Sequence, residues 1–202
     1  DQYGLVTPDK VNGYIRLKLK TNLTPGKIID YDYCLDIIDR LSNSANKIYL
    51  NQTYFRVKLH GINFQVGSME EKFGNQDSSI SSGGLLWSGN ARPMPKISII
   101  IPEYTPVPFT RGFLEFKAGI SHGWFGDNQF VKDSWLHHKY FYLQFGGKLP
   151  VHLSYGFHHF AQWGGESTDP AVGKLPQSPN DFFKVLFART GDNNAFSDEY
   201  LN

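Results

Sequence analysis

Residues 139–162 read KYFYLQFGGKLPVHLSYGFHHFAQ, and this stretch decides the fold class. Side chains alternate in two runs, 139–145 and 152–162, joined by a short connector that contains glycine and proline. A period of two residues is typical of β-strands, whose successive side chains point to opposite faces. Both faces carry aromatic residues, and at least one face also carries polar groups. A soluble sandwich usually has one apolar and one wet face, whereas a membrane barrel has an apolar lipid-facing side and a polar lumen.

The same alternation predicts further strands along the chain. We predict them at residues 11–20, 27–39, 47–60, 62–66, 96–101, 112–121 and 181–190. Helical spacing competes within 34–41, but the isoleucines, tyrosines and alternating acids favour a strand there. Proline should end the strand at Pro102 and keep 104–109 out of a central position. Residues 68–82, 123–135 and 164–180 read as loops, and we predict no helix.

The first two predicted strands carry opposite charges. Arg16, Lys18 and Lys20 form a cationic row, and Asp30, Asp32 and Asp36 form an acidic row. A Pro25-Gly26 turn lies between them. We therefore predict an antiparallel hairpin whose charged side chains face water, as on the lumenal side of a barrel.

Composition excludes several classes of protein. The 20 lysines and arginines nearly balance 19 acids, so nothing favours binding to nucleic acid. Cys34 is the one cysteine, which excludes an intramolecular disulfide framework and a thiolate metal cage. No apolar run approaches the ~18 residues of a membrane-spanning helix. The chain starts at Asp1, without a methionine or signal segment, so we expect a mature or partial chain.

The histidines and acids provide weak catalytic signals. His137-His138 and His158-His159 are adjacent pairs, and neighbouring strand residues point to opposite faces, so neither pair chelates one ion. Ser-His-Asp sets and paired carboxylates can be assembled from the sequence, but no nucleophile elbow is present. We therefore expect no metal, no cofactor and no catalytic residues.

Several segments carry a resemblance to a known family. They are His-His-Lys at 137–139, HFAQWGG at 159–165, GGLLWSGNARPMP at 83–95, IPEY at 101–104, PVPFT at 106–110 and GISHGWF at 119–125. Together they resemble the capsule-assembly Wzi-type outer-membrane proteins, in particular the Bacteroides-like version. The resemblance covers roughly residues 50–186, and it implies an all-β fold, an antiparallel transmembrane β-barrel of which this chain is a portion.

The resemblance also implies a function. It indicates a single β domain over residues 1–202 in the outer membrane that binds or organises capsular polysaccharide and is not an enzyme. Its partners would be surface polysaccharide, outer-membrane lipid and other outer-membrane proteins. The candidate polysaccharide-binding residues, which contact the glycan or hold the loops that do, are Asn90, Arg92, Trp124, Asp127 and Trp163. The alternatives are a soluble secreted carbohydrate-binding β-sandwich and a glycan-acting enzyme.

Overall fold

The fold consists of antiparallel strands in two compact units. A computed structural model describes residues 12–43, 47–71, 92–126 and 130–189. The chain divides into a first unit, Asp1–Pro95, and a second unit, Lys96–Asn202, and each is described by itself. The expected all-β antiparallel fold is confirmed. The expectation of a single domain over residues 1–202 stays a prediction.

The first unit is a four-stranded meander. Its strands are β1 (Asn12–Lys20), β2 (Ile29–Ser42), β3 (Lys47–Leu59) and β4 (Ile62–Ser68). Each strand pairs antiparallel with the next one, so the predicted β1–β2 hairpin is confirmed. The choice of strand over helix at 34–41 is also confirmed, because alternate side chains of β2 are buried.

The second unit contains a second set of antiparallel strands and a helix. Its elements are β5 (Lys96–Pro106), β6 (Leu114–Trp124), β7 (Val131–Lys132), β8 (Trp135–Phe145), β9 (Leu153–Trp163), β10 (Glu166–Ser167) and α1 (Pro179–Leu186). Strands β5, β6, β8 and β9 lie side by side in that order, and β7 pairs with β10 in a short ladder.

The segments predicted as loops at 123–135 and 164–180 contain the short strands β7 and β10, and two strand predictions in this unit are wrong. The strand predicted at 181–190 begins instead as helix α1, because Ser178 and Asp181 form a reciprocal capping box and Pro179 opens the first turn. Strand β5 does not end at Pro102 but continues to Pro106. The β5–β6 register shifts between Ile101 and Thr105, and such an irregularity accommodates a proline that cannot donate a ladder hydrogen bond.

Burial in this protein is inverted relative to a water-soluble domain. Among the described residues, four hydrophobic side chains are buried, against twelve polar or charged ones. On β1, Ile15, Leu17 and Leu19 are 56–67% exposed. On β2, Asp32 and Asp36 are 0% exposed. On β2 the face that carries the carboxylates is therefore the covered one, whereas β1 is exposed along its whole length, and the aliphatic side chains of both strands are open.

The buried carboxylates of β2 are held by charged partners on both neighbouring strands. Arg16 donates from Nε and Nη2 to the two Asp36 oxygens at 2.8 and 2.6 Å. Arg56 likewise donates from Nε and Nη2 to the two Asp32 oxygens at 2.7 and 2.6 Å. A bulge in β3 aims Asn51 at Asp36, with Nδ2 donating to Oδ2 at 3.0 Å. The sequence predicted water-facing charges, but both carboxylates are enclosed by this network.

Within the ranges that the structure describes, no helix has both the length and the apolar character needed to cross a membrane.

We predict that Gly67→Ala destabilises the first unit and that Gly13→Ala does not. Gly67 has a φ of +108°, and an added Cβ would lie 2.1 Å from the carbonyl oxygen of Thr53. A side chain there is strained by about 1–3 kcal/mol from φ alone. Gly13 has nothing within 4 Å of the equivalent position. Urea unfolding followed by circular dichroism measures both, and equal midpoints for the two variants would contradict the prediction.

We predict that α1 loosens at acid pH. The hydrogen bonds from Ser178 to the Asp181 carboxylate lower the pKa of Asp181. Because the pKa of Asp181 is lower in the folded state, its carboxylate stabilises α1 fully above the ordinary aspartate pKa of about 4. This stabilisation is lost as the pH falls through the pKa of Asp181 in the folded state. Hydrogen exchange of the α1 amides, corrected for intrinsic rates, should show declining protection there in the wild type. Asp181→Asn should show no such decline, and a decline of the same size in that variant would refute the linkage.

Candidate functional site

A row of aromatic and histidine side chains lies on one face of the second unit. We call this set the Tyr–His row, and its members are Tyr104, His138, Tyr140, Tyr142, His158 and Phe160. Strand alternation on β8 places His138, Tyr140 and Tyr142 on the same face. The β8–β9 register sets His138 against Phe160 and Tyr140 against His158. The rings of His138 and Phe160 stack with centroids 4.0 Å apart.

Hydrogen bonds run along this row. The hydroxyl of Tyr142 lies 2.6 Å from Nε2 of His158, and Nδ1 of His158 lies 2.9 Å from Nε2 of His138. If Tyr142 donates, a neutral His158 carries its proton on Nδ1 and donates to His138. One tautomer of His158 thus satisfies both hydrogen bonds, the one from the Tyr142 hydroxyl and the one to the His138 imidazole.

Glycines on neighbouring strands make room for the tyrosine rings. Tyr142 lies directly opposite Gly156, and Tyr140 lies opposite Gly119. A Cβ on Gly156 would be 2.0 Å from the Tyr142 ring, and one on Gly119 would be 2.4 Å from the Tyr140 ring. The rings therefore lie across the neighbouring backbone, where a larger residue would lift them off the sheet.

A cation accompanies the row. The Nζ atom of Lys117 lies 4.9 Å from the centroid of the Tyr104 ring and 4.7 Å from that of the Tyr142 ring. These distances are typical of cation–π contacts. The row thus combines aromatic faces, a hydroxyl, imidazole nitrogens and an ammonium group, which are the groups that bind sugar rings and their substituents.

A second cluster lies on the opposite face of the same strands. We call it the histidine nest: His122, His137, His159, Trp135 and Trp163. His122 and His137 are direct neighbours across β6 and β8, and Trp135 and Trp163 are direct neighbours across β8 and β9. Helix α1 lies over the nest, with the Phe182 ring 5.9 Å from His122, 6.3 Å from His137 and 6.0 Å from Trp163.

The nest contains buried polar atoms without partners. Within the described residues, these atoms are both ring nitrogens of His137, Nδ1 of His122, Nδ1 of His159 and Nε1 of Trp163. His137 is only 1% exposed. Each buried polar group without a partner costs about 1–3 kcal/mol. The Phe182 ring that lies over the nest carries no hydrogen-bonding atom, so it leaves these polar groups unsatisfied.

Of the predicted binding residues, Trp124 and Trp163 are brought together, because both of their rings contact the His122 ring. Arg92, in the first unit, stacks its guanidinium 4.1 Å above the Tyr49 ring. Trp124 is 37% exposed and packs its edge against His122. Trp163 is buried within the nest, so it fits the loop-holding role and not that of an open stacking face. Asn90 and Asp127 lie outside the described residues.

The histidine pairs divide between the two faces as predicted. His138 and His158 belong to the Tyr–His row, whereas His137 and His159 belong to the nest, with ring centroids 6.1 Å apart. In the portion of the chain with described coordinates, no group of three or more His, Cys, Asp or Glu is arranged to hold a metal ion. The expectation that no metal or cofactor is needed stays a prediction.

Sequence reasoning did not single out the Tyr–His row as a site. The signal was present, because the alternation already placed Tyr140 with Tyr142 and His158 with Phe160 on common faces. The missing information was the register, which sets Tyr142 over Gly156 and brings His158 within reach of His138. Register depends on pairing between distant segments, and a local pattern does not contain it.

Comparison with known proteins agrees with the motifs that the sequence carries. No curated protein and no solved structure matches the chain. The family model described as "Capsule assembly protein Wzi" matches residues 3–200, which is nearly the whole length. The chain therefore belongs to the Wzi family of capsule assembly proteins.

Proposed function

We propose that this chain forms part of an outer-membrane β-barrel that binds or organises capsular polysaccharide, without catalysing a reaction on it. The observation that carries the proposal is the inverted burial of the sheet. On β1 and β2 the aliphatic side chains are open, and the Asp32 and Asp36 carboxylates on the opposite face are enclosed, which suits strands with lipid on one side and a polar lumen on the other. Membership in a capsule assembly family supports the choice of ligand.

The second unit shows the same division of faces. On the side of β8 and β9 that also carries the nest, one end is apolar, and Leu153, Tyr155 and Phe157 are 49–70% exposed. Towards the other end, the apolar positions give way to Lys139, His137 and the tryptophans. Such a boundary is typical of a surface that faces a membrane, because tryptophans are enriched at the interface between hydrocarbon and water.

The connections between strands suggest which end faces outwards. Residues 125–134 join β6 to β8 beside the nest, and residues 146–152 join β8 to β9 at the far end. Outer-membrane barrels have longer extracellular loops and shorter periplasmic turns. On this proposal, the nest and α1 lie at the cell surface, beyond the apolar band.

The Tyr–His row is the proposed contact for polysaccharide. It lies on the polar face, where a barrel presents its lumen, and its rings are held flat by Gly119 and Gly156. Sugar rings pack on aromatic faces while their hydroxyls bond to groups such as the Tyr142 hydroxyl. Lys117 adds a positive charge beside Tyr104, which suits an acidic polysaccharide.

The residues first singled out remain part of the proposal as supporting contacts. Trp124 has an open surface at the same end as the nest and is available to a passing glycan. Arg92 and Trp163 would hold the neighbouring loops, and Asn90 and Asp127 complete the set. Association with other outer-membrane proteins is also part of this proposal.

We predict that Leu17→Arg strongly destabilises the protein in outer-membrane lipid vesicles. An arginine on the lipid face near the bilayer centre costs about 2–4 kcal/mol. In a water-soluble sandwich, the same change at an exposed position would stay within about 0.5 kcal/mol. Lys18→Arg, on the opposite face, is the control and should leave the urea midpoint unchanged. A Leu17→Arg midpoint equal to that of the control would rule out the barrel and favour the sandwich.

We predict that Tyr142→Ala weakens binding of purified capsular polysaccharide roughly tenfold, through loss of ring area and one hydrogen bond. Tyr142→Phe keeps the ring and should lose only a part of this affinity. Tyr155→Ala, on the opposite face of β9, is the control. Biolayer interferometry measures all three, and equal losses for Tyr142→Ala and Tyr155→Ala would remove the row from the binding site. Release of reducing ends from the polysaccharide would support the alternative function, that of a glycan-acting enzyme.

A further inference from the structure

Helix α1 is held to the sheet by few contacts. None of its residues is buried, and Phe183 remains 54% exposed. Its docking depends on the Phe182 ring above the nest and on Lys139, whose Nζ donates to the carbonyl oxygen of Leu186. An eight-residue helix with no buried residue loses little apolar burial when it leaves the sheet, and its capping box favours the helical form at its first turn.

The surface beneath α1 favours a polar occupant over a phenyl ring. With the helix in place, both nitrogens of His137 and the Nε1 atom of Trp163 are shielded from water and lack hydrogen-bond partners. When the helix lifts, these groups become able to bond to hydroxyls. Each state of the helix therefore has its own cost. The docked state leaves the His137 and Trp163 nitrogens without hydrogen-bond partners, and the lifted state loses the Phe182 contacts.

We propose that α1 is a lid, and that one sugar residue of the bound polysaccharide replaces the Phe182 ring in the histidine nest. This inference rests on the proposed function. A pyranose and a phenyl group are both six-membered rings of similar footprint. Trp163 and Trp135 supply aromatic walls, and the imidazole and indole nitrogens supply the donors and acceptors that hydroxyls require.

The nest differs from the Tyr–His row in what it offers a glycan. In the row, the polar atoms of Tyr142 and His158 already bond to each other. In the nest, the corresponding atoms of His137 are unpaired and covered. The Tyr–His row is therefore accessible to the polymer at all times, whereas the nest binds a single sugar residue only after α1 moves.

The lid is tested first by chemical modification. Histidines are modified with diethyl pyrocarbonate at neutral pH and mapped by mass spectrometry, with fragment ions separating His137 from His138. Phe182→Ala should raise the modification rate of His137 at least fivefold over wild type. Phe183→Ala removes the same kind of ring from the exposed side of the same helix and should leave that rate unchanged. Equal rates in the two variants would overturn the lid.

The sugar subsite is tested by binding of purified capsular polysaccharide. Phe182→Ala should tighten binding severalfold, because the competing ring is gone. Adding His137→Phe fills the nest with an apolar ring and should cancel that gain, with circular dichroism confirming the fold. Affinity that stays at the Phe182→Ala value in the double variant would overturn the subsite. If wild-type protein binds no polysaccharide, the proposed function and the subsite both fail, and the modification rates still decide whether α1 lifts.

Discussion

The burial of Asp32 and Asp36 is the constraint on which the first unit depends. A carboxylate removed from water must be paired and hydrogen-bonded, and the bidentate grips of Arg56 and Arg16 meet that need from either side of β2. These pairs also restrict register, since a slip of one residue would turn every charge to the opposite face. The outward aliphatic face then follows from the alternation of the strands.

The second unit handles its polar groups in two different ways on its two faces. On one face, glycines receive the tyrosine rings and a continuous chain of hydrogen bonds joins Tyr142 to His138. On the other face, His137 is equally buried but unsatisfied, and a lightly held helix covers it. A network in which every polar group has a hydrogen-bond partner is rigid. Buried polar atoms without partners favour replacement of the apolar group that covers them. This contrast distinguishes the proposed fixed binding surface from the proposed movable one.

The proposed function requires a surface that holds a long polymer without trapping it. Shallow contacts along rigid strands suit that task, because each contributes modestly and the polymer can shift from one to the next. The Tyr–His row has this character, with half-exposed rings and Lys117 beside them. The α1 lid would add one deeper contact at the loop end of the same strands.

The sequence by itself determined the existence of the eight longer strands, the side chains that share each face, and the β1–β2 hairpin, because alternation and the Pro25-Gly26 turn are local signals. The motifs also pointed to the family that the comparison shows. Only the tertiary structure decided which face is buried, that Asn51 bulges towards Asp36, and that Tyr142 lies over Gly156. It also decided that residues 179–186 form a helix, where the sequence analysis predicted a strand. Burial and register arise from pairing between segments far apart in the chain, and no local pattern contains that information.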